Sequence, residues 1–353
     1  MSVNIEILSG QHGKAPAAIL VTTPSLRILL DAGGALEPDA EPWPIPDDLD
    51  AIFLSHDHED HIGGLMRLPP QTPVYCTGVT ARALPAGLNV RPIPVSGRFQ
   101  LGSLSVTTGS SGHAYGGVWF HLDLAGGLFY SGDVSLESAL FRFDRPPTAR
   151  VALVDASYAL YDVAQSQQRE TIFSQLVRPT LCPVPPSGRA VEMALLLARR
   201  GNAAGMALDD ACLTMLERMA EHDDGSLQPG VQDELQRLAR ALPPFSPDMP
   251  LLLTANPDGQ SGAAGLLRAR PGFGHRVLFT GHLNQHARRQ WRAGEVDFCR
   301  WNVHPTRQCL RRLAAMLECR ALAPLFTPID ATAAWRQALG CEIIDRPAIR
   351  MEL

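Results

Sequence analysis

Ile52-Phe53-Leu54-Ser55-His56-Asp57-His58-Glu59-Asp60-His61-Ile62-Gly63-Gly64 passes from an apolar run into three histidines and three acids within six residues. Ala51 to Leu54 reads as a buried strand that stops at Ser55. So many ionisable groups at the end of a buried strand are costly unless a cation compensates them. Imidazole and carboxylate together suit zinc and its neighbours. The pattern His-x-His-x-Asp-His lets His56 and His58 face one ion while Asp60 and His61 face another. Four ligands do not complete two shells, so more must lie downstream. Gly63 and Gly64 let the backbone pass close to a neighbour.

Upstream, Val3–Leu8, Ala17–Thr22 and Arg27–Asp31 read as strands, punctuated by Gly13 and Pro24. The acid- and Pro-rich residues 37–48 form a loop, and a short helix runs to Leu68. Further strands are predicted at 73–76, 90–95, 103–108, 117–123, 127–131 and 150–155. Two of these are followed by ligand-type residues: His113 in Thr108-Gly-Ser-Ser-Gly-His, and Asp133 in Phe129-Tyr-Ser-Gly-Asp. After Tyr161 the texture changes. Helical periodicity at Gln165–Val177, Arg189–Arg200, Ala211–Glu221 and Val231–Ala241 alternates with short strands at 180–184, 205–208 and 250–255. Leu242–Pro250 is a linker. Strands at Val277–Thr280, Val296–Cys299 and Leu322–Phe326 follow, with helices at Pro305–Glu318 and Ala331–Leu339.

Together these residues resemble the metallo-β-lactamase superfamily. Asp31, His56-x-His58-x-Asp60-His61, His113 and Asp133 match its first four motifs in order. The resemblance implies an αββα sandwich carrying two zinc ions, with manganese as the other candidate metal. It implies His56, His58 and His113 on one ion, Asp60 and His61 on the second, Asp133 bridging, and Asp31 holding a ligand in place. A narrower likeness extends further. Val151-Ala-Leu-Val-Asp155-Ala-Ser-Tyr158, Pro185-Pro-Ser-Gly-Arg-Ala-Val-Glu192, Leu251-Leu-Leu-Thr-Ala-Asn and Val277-Leu-Phe-Thr-Gly281 are similar to β-CASP motifs, the branch of ribonuclease J and the polyadenylation endonuclease. That likeness implies a core over 1–160, an inserted α/β cap over 161–275 and a core return over 276–353. By analogy Asp155 with His282 or His286 protonates the leaving group, and Asp60 joins them in catalysis. The chain departs from the branch in Trp301-Asn-Val-His304-Pro-Thr and in Phe326-Thr327-Pro328, which stands where a late His-Gly-Glu is expected. His282 and His304 both follow apolar strands. His304, at a strand–helix junction ahead of Pro305, is expected to complete the second ion's shell.

The 353 residues, 45% hydrophobic, are ample for a packed core of about two domains. A net charge of −5 offers no global basic field for nucleic acid. Of 31 basic residues only Lys14 is lysine, a bias that reads as genome composition. Seven scattered cysteines without C-x-x-C predict reduced thiols and a cytoplasmic location. No apolar run reaches the ~18 residues a membrane span needs, and no signal peptide is visible. The expected function is two-metal hydrolysis of RNA or single-stranded DNA, with nucleic acid as partner. Arg288, Arg289, Arg292, Arg300, Arg307, Arg311 and Arg312 fall near the expected cleft mouth, or else form a solvated helix face. A homodimer is one assembly this reading allows. A small-molecule hydrolase of thioesters, lactones or cyclic nucleotides is the alternative, followed by a catalytically silent scaffold.

Overall fold

A computed structural model describes residues 2–37 and 41–352. Residues 38–40, within the loop expected over 37–48, lie outside the described residues. Two seven-stranded sheets form the body. The first runs Ala348–Glu352, Ser2–Ser9, Ala18–Thr22, Arg27–Leu30, Ala51–Phe53, Val74–Cys76, Val90–Pro92. The second runs Glu342–Ile343, Ala321–Leu325, Val151–Asp155, Leu128–Tyr130, Val118–Leu122, Leu104–Ser110, Gly97–Leu101.

Strand alternation builds the layers. Val3, Ile5 and Ile7 point inward while Asn4 and Glu6 are exposed. Ile19 and Phe53 of the first sheet meet Phe120, Leu128 and Leu153 of the second in one cluster. Each such side chain contributes roughly 1.5–3 kcal/mol of burial. The outer faces are apolar as well. Leu29, Ile52 and Val74 pack on Trp43, Leu65 and Leu68, and Phe129, Ala152 and Val154 pack on Leu310, Leu313, Trp335 and Leu339. Strands covered on both sides read as continuous apolar runs, which is why Ala51 to Leu54 does not alternate. The result is the αββα sandwich that the motifs imply.

A third, five-stranded sheet is entirely parallel: Met206–Leu208, Leu251–Thr254, Thr180–Pro183, Arg276–Phe279, Asp297–Phe298. Leu181, Leu252, Val277 and Phe279 face Ala264, Leu267 and Ala287. Cys182, Leu253 and Leu278 face Met193, Leu197, Leu216 and Leu235 of the helices on the other side. The pairing of Arg276–Phe279 with Thr180–Pro183 carries this sheet past the boundary expected at 275. A buried parallel strand is apolar whichever sheet it joins, so its sequence does not assign it.

Elements missing from the sequence reading have physical reasons. The helix Gln285–Arg292 buries only Ala287, so it shows no apolar stripe. The helix Gly262–Ala269 is made largely of Gly and Ala. Gly97–Leu101, Glu342–Ile343 and Ala348–Glu352 are short or half-exposed strands toward the sheet margins. No helix among the described residues is long and apolar enough to cross a membrane.

Two close approaches frame the site. Asp31-Ala-Gly-Gly after the third strand is laced to the histidine loop by Ala32 N–H to His61 O, Gly34 N–H to Glu59 O and Gly64 N–H to Ala32 O. A Cβ at Gly33 would stand 2.0 Å from the Asp60 carbonyl oxygen, and one at Gly64 would stand 2.6 Å from Gly33 O. The glycine pairs exist so that these segments can touch. Gly33→Ala should therefore cost about 3 kcal/mol, read as a lowered denaturation midpoint. An unchanged midpoint would mean the loop yields freely.

Candidate metal centre

Each of three histidines is fixed by one ring N–H, leaving the other nitrogen free. The His113 Nδ1–H donates to the Val303 carbonyl at 2.7 Å, so Nε2 carries the lone pair. The His58 Nε2–H donates to the Ser187 carbonyl at 3.3 Å, so Nδ1 does. Ser55 Oγ donates to Asp31 Oδ2 at 2.7 Å and accepts from His56 Nδ1 at 3.0 Å, freeing His56 Nε2. His56 Nε2 is buried and has no partner. His58 Nδ1 and His113 Nε2 then face each other at 3.2 Å as two lone pairs, an arrangement a cation reconciles. The fourth donor is Asp133, whose Oδ2 is 3.5 Å from His113 Nε2 and 3.9 Å from His56 Nε2. Burial, foremost, holds His56 and His113 well below the ordinary histidine range, so both stay neutral, the ligand form. His56, His58, His113 and Asp133 thus fit a metal ion.

A second group adjoins the first. Asp60, His61 and Asp133 bring donor atoms within 4.8 Å of one another. Asp31 is wholly buried and accepts from Ser55 N at 2.7 Å, Tyr130 OH at 2.5 Å and His61 Nδ1 at 2.7 Å. His61 Nε2 lies 3.2 Å from Asp133 Oδ1. Burial opposes charging of His61, but Asp133 and Asp31 hold it well above the ordinary range. The sequence reading passed over Lys14. Its Nζ is 2.5 Å from Asp60 Oδ2 and 3.9 Å from Asp133 Oδ2. The ammonium, against the cost of burial, keeps both carboxylates below their usual range. The available signal is its uniqueness as the one lysine of the chain, which composition alone also explains.

The Asp-x-Ser-Tyr segment builds a third feature. Ser157 N and Oγ donate to Asp155 Oδ1 at 2.9 and 2.7 Å. Asp155 Oδ2 is 2.7 Å from His304 Nδ1, and that nitrogen is 3.7 Å from Asp133 Oδ2. The Tyr158 hydroxyl donates to Trp301 O at 3.2 Å and accepts from Val303 N at 3.4 Å, which sets the backbone leading to His304. His304 shares Asp133 with Asp60 and His61, and it lies with Asp133 and Asp155 in a third group whose donor atoms are within 4.8 Å of one another. The 299–304 segment follows the third sheet back to the second, and Asp155 captures the imidazole on arrival. His282 and His286, expected beside Asp155, make no hydrogen bond or ion pair with the cluster among the described residues. His282 is exposed, and His286 is half-buried on the polar helix 285–292.

The Gly-Arg-x-x-Glu segment joins the third sheet to this site. Gly188, at φ +118°, lets the turn pass over His113. The buried Glu192 carboxylate accepts from Trp301 Nε1 at 3.1 Å and Ala139 N at 2.5 Å. Of the arginines expected at the mouth, Arg300 stacks on Tyr158 at 4.3 Å, beside the His304 ring. Arg307 is committed to Asp162, while Arg288, Arg289, Arg292, Arg311 and Arg312 are exposed.

A family model described as a beta-lactamase superfamily domain matches residues 26–200, which include His56, His58, Asp60, His61, His113 and Asp133 but not His304. The chain carries a metallo-β-lactamase-fold domain. The transcription termination factor FttA of Methanocaldococcus jannaschii is 26% identical over 250 residues, covering 55% of this chain and 39% of that protein. Ribonuclease TTHA0252 of Thermus thermophilus is 28% identical over 166 residues, 38% of each chain. The DNA cross-link repair protein SNM1 of Arabidopsis thaliana is 31% identical over 85 residues, 23% of this chain and 18% of that one. The aligned region thus spans about two fifths or less of these relatives. A protein of unknown function from Enterococcus faecalis V583 shares the fold over 99% of this chain and all of its own, with TM-score 0.61 and 14% identity.

Proposed function

We propose that the chain is a metal-dependent hydrolase of phosphodiester bonds, acting on RNA or single-stranded DNA. The observation that carries this reading is the Asp155–His304 pair at 2.7 Å, held beside the cluster through Asp133. A phosphodiester needs a proton donor for its departing oxygen, and an imidazole backed by a carboxylate is suited to that task. His56, His58, His113 and Asp133 would hold the ion, zinc by donor type with manganese as the other candidate. When bound, the ion supplies Lewis-acid polarisation and an activated water. Asp31 and Ser55 orient His56 and His61, and Val303 orients His113. Arg300, stacked on Tyr158, is placed to meet a phosphate near His304. The third sheet and its helices act as a cap. The names of relatives, a ribonuclease and a DNA cross-link repair protein, support the same substrate class. The seven unpaired cysteines fit a reducing compartment such as the cytoplasm.

Metal-supplemented incubation with labelled RNA, single-stranded DNA, duplex DNA, a thioester and a lactone tests this. RNA or single-stranded DNA should be cut, and binding should weaken with salt by a log–log slope of about 0.7 per phosphate contact. Turnover of the thioester or lactone alone would overturn the assignment.

A further inference from the structure

We propose that the Lys14 ammonium is the resident cation of the second position, so that the chain binds one metal ion where the two-ion pattern of its motifs implies two. This rests on the first cluster being a metal site, and not on which bond is cleaved. Four observations carry it.

The ammonium lies among the donors of that position, 2.5 Å from Asp60 Oδ2 and 3.9 Å from Asp133 Oδ2. Lysine appears here in a chain whose other basic residues are all arginine. An ammonium is a compact point charge that fits a space sized for an ion, whereas a planar guanidinium does not. The place where the motif pattern expects a late histidine is Phe326, which offers no donor. Its ring is 5.8 Å from the His61 ring, and the Lys14 ammonium sits over it at 5.4 Å. Phe326 is also locked in place: its N–H donates to Gly10 O at 2.6 Å, and a Cβ at Gly10 would stand 2.7 Å from its ring. Finally, both His61 nitrogens already face carboxylates, Asp31 at 2.7 Å and Asp133 at 3.2 Å. Three donors suffice for a catalytic ion with an open position. What closes this one is the ammonium.

The consequence for chemistry is a fixed single charge in place of a divalent ion. Lys14 neutralises Asp60 and Asp133 permanently and can donate a hydrogen bond to a phosphate oxygen, but it does not activate a water.

Equilibrium dialysis with zinc and with manganese, followed by elemental analysis, reads the stoichiometry directly without an activity assay. The wild-type chain should saturate at one ion. Phe326→His should remain at one, because the ammonium is still there. Lys14→Met combined with Phe326→His should reach two, and the added ion should raise the thermal midpoint in a second step. Two ions in the wild type would overturn the proposal while leaving the metal-hydrolase reading intact, and zero ions would overturn both. A double variant that folds by circular dichroism yet stays at one ion would also refute the role given to Lys14. If the double variant does not fold, the wild-type count still decides.

Discussion

Asp133→Asn should strip the metal and abolish turnover together. Asp133 is the carboxylate on which the site converges: His56, His61, His113, His304 and Lys14 all lie within 3.9 Å of its oxygens. Asparagine keeps the shape but removes the charge. The ion loses its only anionic donor from the first group, so affinity should fall by well over about 100-fold, the loss typical of merely disturbing a ligand's support. The folded protein is also expected to lose about 3–5 kcal/mol, because the half-buried Lys14 and the buried His61 keep only Asp60 and Asp31 as partners. Elemental analysis, a denaturation curve and a rate on labelled RNA check the three effects. A variant that keeps a full metal complement would show that Asp133 is not a ligand.

His304→Ala should do the opposite with the metal and almost the same with the rate. The imidazole contacts Asp155 and is not among the four donors that converge on the first position. Metal content should be unchanged. The rate on RNA should fall about 10²–10⁴-fold, the usual range for a positioned acid. A leaving group that needs no proton supplies the diagnostic. With an activated aryl phosphodiester the variant should lose far less than it does with RNA. Asp155→Asn should resemble His304→Ala, and the double variant should be no worse than either single one, since the two act as a unit. Loss of metal in His304→Ala would return His304 to the ion's shell.

The sandwich was legible because apolar strands ending in ligands leave a pattern that needs no partner to be seen. His56, His58, Asp60, His61, His113 and Asp133 each follow or close such a strand, and the fold brings them together. That His304 is the histidine that meets Asp155 was not legible. Both His282 and His304 follow apolar strands, and the difference between them is a backbone path set by Tyr158, Trp301 and Val303. Lys14 was missed for another reason. It lies between the first two strands, far in sequence from every motif, and only the tertiary fold places its ammonium on Asp60. The polar helix 285–292 escaped because it rests on a single alanine.

The pairing of Ser2–Ser9 with Ala348–Glu352 has a consequence for how the chain is made. During synthesis Ser2–Ser9 can pair with Ala18–Thr22 early, but its other edge waits for residues 348–352 to emerge. Val151–Asp155 likewise waits for Ala321–Leu325. Residues 342–343 must leave the ribosome before the second sheet is complete and residues 348–352 before the first is, and long-range pairing of this kind is slow. Until then both sheets present open backbone edges, the surfaces most prone to join a neighbouring chain. Translation halted before residue 348 would yield aggregation-prone fragments and no trimmed enzyme.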